Sequence, residues 1–358
     1  MKVIAFASLI GAALSIPAWQ ESVHRDFSRI DHMDSFEDWM IAFDKTYSDE
    51  LERAHRYGVF MDNWQMINDH NLNPSYNWSM GINQFSDLTV TEFQYYVHGH
   101  LDSCRKSTPS SNDNGILVDT PPVNPGYTAP TSIDWRDVNG TSWVTPVKNQ
   151  GQCGSCWAFS TTGSLEARAA IRTGDAKNLV SLSEQQLVDC SKAEGNAGCN
   201  GGLQEDAFTY IGKEGGLCSE SEYPYTARDG TCKASSCGTK YDKIASTKSY
   251  TKVTIDSETS LVNAIAAGPV AVSVDAAGTG WQHYKSGVYS SQCGILLDHG
   301  VTGVGYGTAT QGGDYWLIKN SWGKTWGEEG YILICRNCDK NGSMGECGIL
   351  RDNTFPNF

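Results

Sequence analysis

Apolar positions fall into blocks of different period along the chain. From Val3 to Leu14 they form one short, nearly unbroken run. From about Ser35 to Asn71 they recur at helical spacing: Phe36, Trp39, Met40 and Phe43 lead, and Leu51 to Asn71 continues with Gly58 as its only Gly or Pro. Within that stretch Glu52, Arg56, Phe60, Asn63, Ile67 and Asn71 are separated by steps of four, four, three, four and four, so they share one slowly drifting face. Taken alone, this mixed stripe reads as an ordinary amphipathic helix. Asn73-Pro74 ends it, because a proline disfavours helical geometry in the residue before it. Gly81 to Asp87 and a short segment Thr91 to Val97 follow. From about Leu101 to Tyr127 the chain turns to Ser, Thr, Asn, Asp, Gly and Pro, the composition of an exposed linker open to proteolytic nicking.

The remainder, from about Ala129 to Phe358, has the size of one domain. Its first half predicts helices. Gly151 to Arg172 is a turn leading into an Ala- and Leu-rich helix, and Ser183 stands three residues before Gln186 as a capping box would require. Its second half predicts short strands at Val270–Val274, Gly300–Tyr306, Tyr315–Lys319 and Gly330–Cys335, separated by Gly-rich turns. Helices first and strands second give an α+β pattern that packs as two lobes. There is no internal repeat.

Charge and cysteine content narrow the context. A formal net charge of -14 over 358 residues argues against a nucleic-acid partner, which needs a basic face. Lys2, the apolar run and Ser15-Ile16-Pro17-Ala18 read as a cleaved signal peptide over residues 1–18, the run being too short to span a bilayer. Twelve cysteines on that route are expected to be largely disulfide-bonded. The sequons at Asn77, Asn139 and Asn341 are candidate glycosylation sites of the same route.

The strongest chemical motif is Gln150-Gly151-Gln152-Cys153-Gly154-Ser155-Cys156-Trp157. A helix N-terminus offers partial positive charge to a thiolate, and Cys156 stands where the turn enters the helix. Its N–H is one of the unsatisfied first-turn donors, free to face a developing oxyanion. Cys153 to Cys156 also matches the C-x-x-C redox pattern, which belongs in a βαβ setting not found around it. Two downstream motifs favour the nucleophile: Asp298-His299-Gly300 and Asn320-Ser321-Trp322-Gly323, each beside a strand-like run. Histidine is suited to take a thiol proton near neutral pH, and an amide oxygen on its far nitrogen fixes the tautomer without adding charge.

With these residues the chain resembles the papain and cathepsin L family, whose local signature is C-G-[SA]-C-[WY]. The likeness runs nearly end to end. Glu52, Arg56, Phe60, Asn63, Ile67 and Asn71 match the family's proregion helix motif, and Gly81, Asn83, Phe85 and Asp87 its second motif. Ala129-Pro130 with Ile133-Asp134-Trp135-Arg136 looks like the mature N-terminus. The resemblance implies a helical inhibitory propeptide over 19–101, a linker with the activation cleavage over 102–128, and a two-lobed papain-like peptidase domain over 129–358. It implies an inactive zymogen of a cysteine endopeptidase, since no His-containing insertion of the exopeptidase kind is present. It assigns catalysis to Cys156, His299, Asn320 and Gln150, with Gln150 donating to the oxyanion and Trp322 shielding the His299–Asn320 bond. Substrate contacts fall to Gly201, Gly202, Leu203 and Asp298, and Gln204, Ser273, Leu297 and Asp352 line the pocket for the second residue upstream of the cut.

The family pattern pairs Cys153 with Cys199, Cys190 with Cys232, and Cys293 with Cys347. Cys218 with Cys237 and Cys335 with Cys338 are the expected further bridges, leaving Cys104 over. Cys335, Cys338 and Cys347 read as a zinc site lack partners, so no metal and no cofactor is expected. Protein and peptide substrates, the chain's own propeptide and cystatin-type inhibitors are the expected partners of a monomer in a lysosomal, vacuolar or extracellular setting. The rival from another class is a catalytically silent papain-fold binding or storage protein, against which the four intact catalytic positions argue.

Overall fold

The computed structural model describes residues 35–98, 116–117, 128–238, 245–290 and 293–358; the expected signal segment 1–18, Cys104 and most of the linker lie outside the described residues. The N-terminal portion comprises α1 (Phe36–Ala42), α2 (Glu50–Leu72), β1 (Trp78–Met80) and α3 (Val90–His98). After β2 (Ile116–Leu117) and β3 (Ile133–Asp134) come the helices α4 (Cys156–Thr173), α5 (Glu184–Cys190) and α6 (Gln204–Glu214). The remaining elements are β4 (Ser249–Lys252), α7 (Glu258–Ala266), β5 (Val270–Val274), α8 (Thr279–His283), β6 (Tyr284–Tyr289), β7 (His299–Ala309), β8 (Gly313–Lys319), β9 (Tyr331–Cys335) and β10 (Asn353–Asn357).

The helical stretch expected from about Ser35 to Asn71 is in fact two helices. Asp44 adopts a left-handed backbone (φ 50°), and Asp49 caps α2 by accepting from the Leu51 and Glu52 N–H groups at 2.9 Å. The expected capping box at Ser183 is half formed. Ser183 accepts from Gln186 N–H at 3.0 Å, but the Gln186 side chain is taken by Tyr210 and by the Cys218 N–H.

Three polar members of the α2 stripe serve a segment with little regular structure of its own. Arg56 donates to the Asp87 carbonyl and to Glu92, Asn63 donates to the Ser86 and Leu88 carbonyls, and Asn71 exchanges two 2.9 Å bonds with the Met80 backbone. Phe60 and Ile67 from the same face are buried. A mixed stripe is what such a helix needs, because carbonyls outside helix or sheet still require donors.

One ten-stranded sheet runs in the order β1-β6-β9-β8-β7-β5-β10-β4-β2, with β3 paired to β7. Its first strand belongs to the expected propeptide: β1 adds antiparallel to β6, so this N-terminal portion docks by completing a sheet edge. Gly287 makes the approach possible, since a Cβ there would lie 2.5 Å from the Asn77 carbonyl oxygen and its φ is 89°. Below the strand, Gly81 N–H donates to the His283 carbonyl and Asn83 to the Gln282 carbonyl.

Three apolar cores result. Phe36, Trp39 and Phe60 close a small one within the propeptide. The helical lobe is built around Trp157, Leu165, Leu187, Phe208 and Ile211. The β-rich lobe has the largest core, and Ile67, Trp78, Met80, Phe85 and Phe93 of the propeptide are part of it. Helix α4 runs between the lobes, with Gly163 lying against Thr302 of β7. Disulfides join Cys153–Cys199, Cys190–Cys232, Cys218–Cys237, Cys293–Cys347 and Cys335–Cys338.

Candidate active site

Cys156 is the first residue of α4 and, among the described residues, the cysteine outside any disulfide; it is 2% exposed. The turn before it is fixed by the Cys153–Cys199 bridge and by Gly154 N–H donating to the Cys199 carbonyl at 2.9 Å. The first turn of α4 contains no acidic residue, so nothing there offsets the positive helix end.

His299 opens β7, where it pairs in register with Val274 of β5. Its Nε2 lies 2.8 Å from Oδ1 of Asn320, the residue that follows β8. The same oxygen accepts the Ser321 N–H, which orients the amide. A carbonyl oxygen only accepts, so Nε2 carries a proton and Nδ1 is left as the base. Trp322 stacks on the imidazole with centroids 4.7 Å apart. Burial of His299, Asn320 and Trp322 keeps water from the His299–Asn320 bond.

Gln150 is fully buried and anchored to that same segment: its N–H donates to the Ser321 carbonyl and its Oε1 accepts from Ser321 Oγ at 2.7 Å. Its Nε2 donates to the Cys153 carbonyl at 3.0 Å, which directs the amide toward the start of α4.

Cys156 and His299 share a cleft of about 320 Å³ with Gly202, Leu203, Gln204, Ser273, Leu297, Asp298 and Asp352. A Cβ on Gly202 would run into Asn196 and lie 2.8 Å from the Trp157 indole, so only glycine lets the chain pack this close to Trp157. Gly201, beside the lining residue Gly202, closes a turn in which its carbonyl accepts from Ala197 N–H. At the far end Ser273 Oγ donates to Asp352 at 3.0 Å. Arg351 does not pair with Asp352 but with Asp256, at 3.6 Å. Asp298 accepts the Ala276 N–H at 2.8 Å, so that oxygen turns back into its own loop.

Phe85 and Trp322 apart, the residues described next were not singled out by the sequence. Gln84 of the propeptide donates to the Trp322 carbonyl and accepts from Thr325, while the rings of Phe85 and Phe93 meet Trp322 edge-on at 5.6 and 5.4 Å. The propeptide therefore sits on the tryptophan that backs His299. Its Gln94 reaches the Ala277 carbonyl beside the cleft. Behind the site, in the seam between the lobes, Lys148 bonds Glu166 and Glu184 at 3.0 and 2.6 Å, and Lys319 donates to Thr145. Burial pushes Glu184 up to about 7 against the pull of Lys148, and burial lowers Lys319 to about 8.

Asn77 and Asn139 are exposed, and Asn341 falls in the 3-10 turn Asp339–Met344. Cys335 and Cys338 are bonded to each other and Cys347 to Cys293, which leaves no thiolate for a zinc ion at that end.

Comparison with known proteins identifies the family. Residues 129–357 match the papain family cysteine protease domain, and residues 36–93 match the cathepsin propeptide inhibitor domain (I29). The chain is 40% identical over 322 residues to the senescence-specific cysteine protease SAG39 of Oryza sativa subsp. japonica, covering 89% of this chain and 88% of that one. Among solved structures, the recombinant stem bromelain precursor superposes with a TM-score of 0.78 at 37% identity, over 90% of this chain and 97% of that one. The digestive procathepsin L 3 of Tenebrio molitor larval midgut gives 0.75 at 36% identity, over 95% and 99%. The chain belongs to the papain family of cysteine proteases and carries its inhibitory propeptide.

Proposed function

We propose that this zymogen matures to an endopeptidase in which Cys156 and His299 act as a thiolate–imidazolium pair. The sulfur attacks the scissile carbonyl carbon, a C–S bond forms, and the carbonyl oxygen takes the negative charge. The Cys156 N–H and Gln150 Nε2 bind that oxyanion. As the C–N bond breaks, His299 Nδ1 passes its proton to the departing amine. Water then gives a proton to His299 and attacks the thioester, releasing the acid and restoring the thiolate. Asn320 holds the imidazole throughout, and Trp322 keeps that bond dry.

The observation that carries this reading is the 2.8 Å His299–Asn320 bond, with His299 and Cys156 lining one cleft. The test is an irreversible cysteine-protease probe applied after acid activation. Labelling of the parent and none of Cys156→Ala is expected; a labelled Cys156→Ala protein would remove the assignment.

Asp352 supports a further reading of specificity. A carboxylate at the end of a half-closed cleft favours an Arg or Lys side chain two residues upstream of the cut, Arg binding in bidentate fashion. Ser273 and Gln204 add to the polar lining. Asp352→Ala should lower the preference for Arg over Leu in paired peptides. An unchanged ratio would place the basic specificity elsewhere.

Twelve cysteines and exposed sequons at Asn77 and Asn139 support passage through the secretory pathway. The destination is a lysosomal, vacuolar or extracellular space, with protein substrates and cystatin-type inhibitors as partners.

A further inference from the structure

The nucleophile helix starts differently from others in this chain. A serine at the N-cap ordinarily accepts a first-turn N–H through its side chain. Ser35, Ser183 and Ser257 all do so. Ser155, at the N-cap of α4, does not, and its backbone (φ −106°, ψ 16°) lies outside the extended region the other three adopt. What holds it is Tyr225, whose hydroxyl lies 2.6 Å from Ser155 Oγ and donates to the Gln150 carbonyl at 2.7 Å.

The proton count fixes the direction of this chain of bonds. A phenol has one proton, and here it goes to Gln150, so Ser155 must donate in the pair with Tyr225. The other acceptor within reach of Ser155, the Cys153 carbonyl, is at 3.5 Å. The tyrosine is itself fixed: its N–H donates to Glu220 at 2.8 Å, and its ring meets Phe159 of α4 edge-on at 4.8 Å. Burial holds the phenol well above its ordinary value, so it stays a donor at any pH where the enzyme works.

We infer that Tyr225 is a positioning residue for the cysteine chemistry, acting on Ser155 and on Gln150 at once. By drawing the Ser155 hydroxyl aside it keeps serine lone pairs off the first-turn N–H groups, leaving the positive helix end to the Cys156 sulfur. By bonding the Gln150 carbonyl from the helical lobe, opposite the Ser321 contact from the other lobe, it fixes the backbone that carries the oxyanion-binding amide. Tyr225 touches neither substrate nor the reacting atoms.

This inference rests on the roles proposed for Cys156 and Gln150, and its test separates the two. In the matured enzyme Tyr225→Phe should lower kcat/KM about tenfold, mostly in kcat, less than the 10²–10³ that follows loss of an oxyanion donor. The pH profile of Cys156 alkylation by iodoacetamide should move to higher pH, because Ser155 is then free to cap α4. Adding Ser155→Ala to Tyr225→Phe should return the alkylation profile to that of the parent while kcat stays low, since the Gln150 carbonyl remains unheld. A Tyr225→Phe enzyme that melts lower but keeps the parent's alkylation profile and kcat would overturn the inference and leave a structural tyrosine. Failure of the profile to return in the double variant would overturn the Ser155 half. Cys156→Ala, assayed alongside, must be inactive; activity there would instead overturn the reading on which the inference rests.

Discussion

The propeptide and the mature domain share one apolar core, yet different physics holds each together. The propeptide has its own core of three fully buried aromatics and, among the described residues, no disulfide. The mature domain has two large cores and five bridges. Their acidic groups differ in the same sense. Backbone N–H groups hold Asp49 and Glu52 below the usual carboxylate range, and at Glu92 the bonds from Thr89 and Arg56 outweigh partial burial. In the mature domain burial raises Glu184, Glu220 and Asp275.

The signs follow from linkage. A carboxylate held low when folded stabilises above its unfolded value, and that contribution is lost as pH falls through the folded one. A carboxylate raised by burial costs stability as pH rises, and acid relieves it. His70, lowered by burial, takes its proton in the unfolded propeptide first, so stability also falls below the ordinary histidine value of 6.5. His283 of the mature domain, in contact with Gly81 of the propeptide, is lowered by burial to about 3, so acid penalises this part of the seam. Acid thus works chiefly against the propeptide and its seam, with the exposed Asp314 as a minor exception in the mature domain.

Four variants or conditions would break or sharpen this contrast, and the largest effect belongs to Trp39→Ala. Emptying the propeptide core should cost about 3–5 kcal/mol of its folding free energy. The precursor should then show activity at neutral pH; a silent one would mean that docking to the β-rich lobe alone holds the propeptide. Removing the Cys218–Cys237 bridge with a double Ser substitution should act on the other side. It closes a separation of 19 residues and should cost the mature domain about 3 kcal/mol, with the pH of propeptide release unchanged. Movement of that pH in step with the mature melting temperature would show one cooperative unit.

Asn71→Ala removes both bonds to the Met80 backbone and should cost about 1–3 kcal/mol, releasing the propeptide at higher pH without touching the mature enzyme. The smallest effect is expected from His70→Gln, which should flatten the upper part of the release curve, near 6.5 and below, and leave the carboxylate part below about 4.5 in place. An unaltered curve would assign the upper part to His283. Asp87, of the second propeptide motif, is bonded by Lys45 at 2.9 Å and Tyr47 at 3.0 Å. These partners lie within the propeptide, so Asp87 ties that fold together and does not bind the interface directly.

The sequence disclosed most where chemistry needs residues at fixed local spacing. Cys156 after a Gly-rich turn, His299 at a strand start and Asn320 at a strand end were readable because each motif spans a few positions and each element is strongly patterned. The break between α1 and α2 was not, since helical spacing resumes across it and a left-handed Asp44 leaves no mark on periodicity. Tyr225 and Gln84 were hidden for another reason. Each acts through partners 70 or more positions away, Tyr225 on Ser155 and Gln84 on Trp322, and sequence spacing carries no record of such contacts. The mixed face of α2 was visible as a pattern but not as a device, because its polar members answer carbonyls of a segment that only the fold brings beside them.

The central claim is that the proposed Cys156–His299 site, whose Trp322 the propeptide contacts, becomes reactive as acid loosens the propeptide and before the mature domain yields. The direct measurement is rapid labelling of the intact precursor with an irreversible cysteine-protease probe across pH, with tryptophan fluorescence followed in the same samples. The account expects no labelling at neutral pH, labelling at Cys156 that rises as pH falls, and a mature-domain unfolding transition only at lower pH. Full labelling of uncleaved precursor at neutral pH, or labelling that appears only together with global unfolding, would contradict it.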